Sequence, residues 1–254
     1  MKKCKGFSVA GIIGIITAIA AIGIAGFLVI NGLNNATHYE DYDFYSIIEP
    51  DIHNGYIGDN VKGERDAPVV IFEYADFQCE YCAMINSRVN AAIEKADGKL
   101  AVVYRNFLLS YHQNGTAAAS AAQAAGLQGY WKKYADKLFS QQDEWAYATS
   151  SKRTALFEKY FEEVTDGKGD LEKFKSDMNS NEVSQKISFD MGIGKHMDIA
   201  GTPAFYVDGQ YIDYGNKEGG SITVNNRTIT WETRLTGDQF EDLLVRITKA
   251  KTEE

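Results

Sequence analysis

The sequence predicts an α/β fold. A strand–helix–strand unit is interrupted by a long helical insertion and resumes as a hairpin and a closing helix, all preceded by one N-terminal transmembrane helix. Three observations predict it. The apolar run Val69-Val70-Ile71-Phe72-Glu73-Tyr74 leads into a helix-type segment, 83–96, with Cys79-Glu80-Tyr81-Cys82 at the junction. Segments of helical character then follow one another from Thr116 to Met197. Residues 7–30 contain no charged side chain.

As a helix, residues 7–30 would span about 36 Å, more than the hydrocarbon core of about 30 Å. Lys2, Lys3 and Lys5 precede this run, and Glu40, Asp41 and Asp43 follow it. The basic side stays cytoplasmic, so the remainder is expected outside. A cleaved signal peptide is the rival reading. Its apolar region would be shorter, about 7–15 residues, and Asn31-Gly32-Leu33-Asn34-Asn35 matches a cleavage site poorly, so the uncleaved anchor is preferred. Residues 31–62 are polar and acidic and read as a linker, with a short helix near 42–48.

The exported domain then runs in order. Pro68 precedes a strand at 69–75, the cysteines open a helix, and 99–106 forms the next buried strand, which gives a parallel strand–helix–strand unit. Ala117 to Ala125 is a strong helix former. Further helices are expected at 130–141, 154–164, 170–178 and 181–197. Strand character returns at Ala204-Phe205-Tyr206-Val207, with Asp208-Gly209 as the turn to a partner strand at 211–214. Residues 221–231 alternate and fold back around Asn225-Asn226. Phe240, Leu243, Leu244 and Ile247 form one stripe of a final helix at 238–248. The chain therefore divides into a cytoplasmic N-terminus (1–6), an anchor (7–30), a linker (31–62) and an exported domain (63–254), whose helical insertion occupies about 115–198.

The net charge is −9 over 254 residues. Residues 1–30 hold three lysines and no acid, so the exported part is more acidic still. That argues against nucleic acid as a partner and against tight docking on anionic lipid.

Cysteine usage narrows the chemistry. With Cys4 across the membrane, the exported part holds one pair, Cys79 and Cys82. A domain that relies on disulfides for stability carries several, so a single pair is read as a working one. A zinc site would need four ligands, and the four histidines (His38, His53, His112, His196) are scattered. An inert disulfide is the other alternative, but a loop this small contributes little chain entropy. No metal or cofactor is expected. A strand that delivers Cys-x-x-Cys to a helix N-terminus favours a thiolate on Cys79, through backbone N–H groups and the helix dipole. Cys82, one turn on, would be shielded and would resolve a mixed disulfide.

The stretch from Phe72 to Cys82 resembles the active-site strand and helix start of DsbA-like thiol:disulfide oxidoreductases, and Gly201-Thr202-Pro203-Ala204-Phe205-Tyr206-Val207-Asp208-Gly209 resembles their cis-proline loop. The likeness covers roughly 63–250, and the Arg105–Leu109 strand end near His112 is similar in position. It implies a thioredoxin-like fold with an inserted helical domain. It implies that Thr202 and Pro203 present backbone for an extended client. It also implies that Glu73, which strand alternation could turn inward, is a buried acid relaying the proton of Cys82; a strand-edge acid facing water is the alternative. Asp76 is a candidate cap for the helix start.

The implied activity is extracytoplasmic protein disulfide exchange, chiefly as an oxidase, with exported cysteine-containing clients and a quinone-linked membrane redox partner. A reductase or isomerase, and a non-enzymatic anchored binding module, are the alternatives. One departure stands out. Glu80-Tyr81 replaces the proline–histidine pair of strong oxidants in this family. A carboxylate about 6 Å from the thiolate would oppose it by roughly 0.7–2.8 kcal/mol, which predicts a milder oxidant.

Overall fold

The computed structural model describes residues 39–253. The expected transmembrane segment, 7–30, lies outside them. Among the described residues no helix is long and apolar enough to cross a membrane.

The elements run β1 (Asn60–Lys62), β2 (Val69–Ala75), α1 (Glu80–Lys95), β3 (Leu100–Asn106), α2 (Gly115–Gly126), α3 (Trp131–Ser140), α4 (Gln142–Trp145), α5 (Ser150–Val164), α6 (Leu171–Asp177), α7 (Asn181–His196), β4 (Ala204–Val207), β5 (Gln210–Tyr211), β6 (Gly220–Val224), β7 (Arg227–Trp231) and α8 (Gly237–Thr252). The central sheet has the order β1-β3-β2-β4-β5. β2 and β3 are parallel, from Val69 opposite Leu100 to Ala75 opposite Asn106. β1, β4 and β5 add antiparallel edges. β6 and β7 form a separate two-stranded hairpin.

Both faces of the sheet are covered, which is why β2 and β3 read as near-continuous apolar runs rather than alternating ones. Val69, Ile71 and Val102 pack against Val89 of α1 and Leu244 of α8. Phe72, Tyr74 and Val103 face the other way, onto Phe189 and Ile193 of α7. A third cluster fills the helical insertion around Tyr134, Trp145 and Phe161. In α2 the six alanines 118, 119, 121, 122, 124 and 125 are all fully buried. Small side chains let this helix be enclosed almost all round. Ser180 caps α7, and Thr236 with Gln239 forms a capping box at the start of α8.

The structure corrects the linker. Residues 39–62 belong to the compact unit that runs from Tyr39 onward. A 3-10 turn spans Tyr39–Asp41, and no helix forms at 42–48. Ile48 is buried, and β1 extends the sheet. The clasp is Arg105, whose guanidinium is fully buried and uses every donor. Nε and Nη2 bond the Asp59 carboxylate, Nη1 bonds the Phe44 carbonyl (2.6 Å) and the Tyr74 hydroxyl (2.9 Å), and Nη2 also bonds the Ser46 carbonyl (2.9 Å). Composition alone made this segment look loose; one arginine from a distant strand holds it. Gly192 of α7 is needed here because a Cβ at that position would collide with the Tyr39 ring.

Candidate active site

The pair sits where β2 hands over to α1. Cys79 is the N-cap residue of α1, in extended backbone conformation, and no side chain caps the helix. Its first N–H groups are therefore left to whatever occupies the cap position, and that is the Cys79 sulfur. Both cysteines are free thiols, both buried; Cys79 retains 5% exposure and Cys82 none.

Their acidities are driven apart. A hydrogen bond from the Cys82 thiol is the largest effect on Cys79. Burial opposes it, and the Thr202 side chain and the backbone N–H groups of Cys82 and Tyr81 add to it, bringing Cys79 down from 9.0 to about 6. Burial, then the hydrogen bond to Cys79, pushes Cys82 well above its ordinary value. At neutral pH the reduced site therefore holds an anionic Cys79 beside a protonated Cys82. The Thr202-Pro203 peptide bond is cis, and the Thr202 carbonyl lies 3.4 Å from Cys79 Sγ. The Thr202 hydroxyl is buried with no hydrogen-bond partner among the described residues, which leaves its proton available to a thiolate at Cys79.

Strand alternation places Glu73 with Val69 and Ile71, on the face that carries α1, and there it is fully buried. Glu73 Oε2 accepts from Lys62 Nζ at 3.2 Å, while Oε1 is buried without a partner among the described residues. Lys62, fully buried as well, also donates to Asn86 Oδ1 of α1 at 2.8 Å. The structure thus brings Cys79, Cys82, Thr202, Pro203 and Glu73 together. The water-facing alternative for Glu73 is excluded.

Asp76 does not cap α1 with its side chain. Its carboxylate accepts from Gln78 N (2.8 Å), Leu109 N (2.9 Å) and His112 Nδ1 (2.8 Å), and so ties the β3–α2 loop to the active-site strand. Glu80 meets a side chain of the insertion. Tyr147, 82% exposed, donates to Glu80 Oε1 at 3.4 Å, and the effects that set the acidity of Cys79 are led by hydrogen bonds and burial.

Sequence reasoning missed the buried amides that hold the cysteine loop. Gln142 Nε2 bonds the carbonyls of Phe77 (2.6 Å) and Cys79 (3.1 Å). Gln78 Nε2 bonds the Ala146 carbonyl, and Gln78 Oε1 accepts from Asn114 N. It missed Lys62 too. A glutamine or lysine in a polar stretch carries no local mark of burial; its partner lies on another element.

Two hollows flank the Thr202–Pro203 loop. One, of about 420 Å³, is walled by Tyr81, Met84 and Ile85 of α1 and by Tyr214 and Leu235. The other, of about 450 Å³, is walled by Ile199, Ala204, Tyr206 and Tyr211.

A buried dithiol at a helix start, faced by a Thr-Pro loop on a mixed five-stranded sheet, is an arrangement suited to thiol–disulfide exchange. The chain belongs to the thioredoxin family, whose model matches residues 56–222. Among solved structures it is similar in fold to BdbD from Bacillus subtilis (19% identity, TM-score 0.56, covering 82% of this chain and all of that one). It is likewise similar to alpha-DsbA1 from Wolbachia pipientis (21% identity, TM-score 0.54, covering 76% and 92%). Among curated proteins it is 31% identical over 165 residues to the Na(+)/H(+) antiporter NhaA 1 of Mycolicibacterium vanbaalenii, a match of 64% of this chain and 24% of that one. The chain thus spans about a quarter of the length of that relative.

Proposed function

We propose that this protein is a membrane-anchored oxidase that passes its Cys79–Cys82 disulfide to exported proteins. The observation that carries the reading is the divided acidity of the pair. A stabilised Cys79 thiolate favours the reduced form, so the disulfide is readily given up.

A client thiolate attacks Cys79 Sγ. The Cys79–Cys82 bond breaks, a client–Cys79 disulfide forms, and Cys82 leaves as a thiolate. Cys82, strongly basic in its dry setting, then takes up a proton, for which buried Glu73, with Oε1 unpartnered among the described residues, is the relay. A second client thiolate then attacks the client sulfur and releases Cys79 as a thiolate. The client gains one disulfide and this protein gains two electrons. These pass to a membrane redox partner, quinone-linked by resemblance, which restores the disulfide. Thr202 and Pro203 offer backbone on which an extended client segment pairs beside the sulfur. The uncharged run at 7–30 supports an anchor with a cytoplasmic N-terminus and an extracytoplasmic domain. The likeness of this chain to part of an antiporter supports work at a membrane.

Trapping tests the reading. In cells carrying the Cys82→Ser chain, mixed disulfides through Cys79 should accumulate with exported clients and with the recycling partner. Wild-type protein should be mostly oxidised. A mostly reduced pair would replace the oxidase by a reductase, and an absence of Cys79 adducts would leave only an anchored binding module.

A further inference from the structure

We propose that the two hollows beside the Thr202–Pro203 loop form one client-docking surface of opposite charge at its ends, which selects extended segments bearing an acidic residue on one flank of the reacting cysteine and a basic residue on the other. This rests on the oxidoreductase reading and deepens it.

Thr202, Pro203 and Tyr211 line both hollows, so the loop is a ridge with a cleft on each side. The ridge is also where Cys79 meets its neighbour, Sγ lying 3.4 Å from the Thr202 carbonyl. A client segment whose cysteine reaches Cys79 must cross this ridge and lay one flank in each cleft. In an extended chain two residues cover about 6.6 Å and point the same way, so the positions two before and two after the cysteine enter the clefts.

Each cleft is mostly apolar and has one charge of its own. On the α1 side, Tyr81 (66% exposed) and Met84 (64% exposed) offer aromatic and flexible apolar surface, and Arg234 is the one charged lining residue. Arg234 Nε is bonded to the Gly215 carbonyl at 2.8 Å, and no ion pair with Arg234 occurs among the described residues. On the other side Asp198 is the one charged lining residue, exposed and likewise without an ion pair among the described residues. Tyr206 forms the wall there, with Tyr45 from the segment before β1 packed on its ring at 6.4 Å between centroids. The protein as a whole is acidic. Its overall field would therefore favour basic residues on both flanks, whereas the local charges favour opposite ones.

The test uses the full chain as Cys4→Ser/Cys82→Ser, so that Cys79 is its one thiol, and synthetic single-cysteine peptides activated as mixed disulfides with thionitrobenzoate. Cys79 thiolate attacks the peptide sulfur, a peptide–Cys79 disulfide forms, and one coloured thionitrobenzoate thiolate leaves per capture. Peptides carry Glu, Lys or Ala two positions before or after the cysteine. On one flank Glu should be captured about two- to fivefold faster than Lys, and on the other Lys faster than Glu by a similar factor. The difference should lie in the saturation constant rather than the limiting rate, and should shrink as salt rises toward about 0.5 M. Adding Arg234→Glu should invert the first preference and leave the second. Adding Asp198→Asn should abolish the second and leave the first; Asn suits the left-handed backbone of that position (φ 53°). The same preferred charge on both flanks, or preferences that survive both substitutions, overturns the proposal. If Cys79 captures every peptide alike, only the charge selection falls. If it captures none, not even the Ala peptide, the oxidoreductase reading falls with it.

Discussion

Replacing Cys82 by Ala tests what makes Cys79 acidic. The Cys82 thiol is the largest stabiliser of the Cys79 thiolate, ahead of the Thr202 side chain and the N–H groups of the first helical turn. A hydrogen bond to a charged group is worth about 1.5–3 kcal/mol, and one pKa unit is about 1.4 kcal/mol. Loss of the donor should therefore raise Cys79 from about 6 to between about 7 and 8, and Cys82→Ser, which keeps a donor, should leave it near 6. The folded value lies below the ordinary 9.0, so the thiolate stabilises the folded, reduced protein. That contribution is complete above pH 9.0 and is lost as pH falls through about 6. At pH 7 it amounts to about 1.4 kcal/mol, reduced to about 1 kcal/mol by solvent screening at the site mouth. In a two-electron couple, about 1.4 kcal/mol corresponds to about 30 mV of oxidising power. The assay is the pH dependence of alkylation and of thiolate absorbance in the full chain, wild type against both variants. If Cys82→Ala still titrates near 6, the helix start alone sets the acidity and the thiol–thiolate bond is incidental.

Three further outcomes follow from individual charged side chains. Lys62→Met strips the only donor to Glu73 among the described residues and should cost about 3–5 kcal/mol in urea unfolding, with much of it regained in Lys62→Met/Glu73→Leu; a single-variant cost under about 1 kcal/mol would show that the pair contributes nothing. Glu80→Gln should move the titration of Cys79 by less than about 0.5 unit, because the carboxylate is held by Tyr147; a drop of a full unit would restore Glu80 as an antagonist of the thiolate. Arg105→Leu should free residues 39–59 to proteolysis and cost about 3–5 kcal/mol, since it orphans the Phe44 and Ser46 carbonyls and leaves Asp59 with only Lys186 and the Ile48 N–H among the described residues; an unchanged cleavage pattern would remove Arg105 as the clasp.

Local patterns were legible residue by residue. Val69–Ala75 is a strand with the bounds read from its apolar run. The turn at Asn225-Asn226 has the positive φ angles its residue types invite. Where reading fell short, the deciding contact was distant in sequence. The partner strand expected at 211–214 closes after Tyr211, with the chain beyond it following the Ile212–Phe205 and Leu235–Tyr214 hydrogen bonds instead. The stretch 39–62 looked like a tether because its acids and tyrosines show no period. It is folded because Arg105 and Phe189 accept it.

By itself the sequence determined the reacting pair, since a Cys-x-x-Cys between an apolar run and a helix start is a matter of covalent spacing and short-range backbone geometry. It also determined which stretches become strands and helices, through periods that repeat within a few residues. Tertiary structure alone decided which oxygen of Glu73 stays free and that Thr202 stands over the sulfur. Those depend on groups more than a hundred residues apart, or on separate strands, closing on one another in a space without water. There a hydrogen bond or a charge counts far more than it does along an exposed chain.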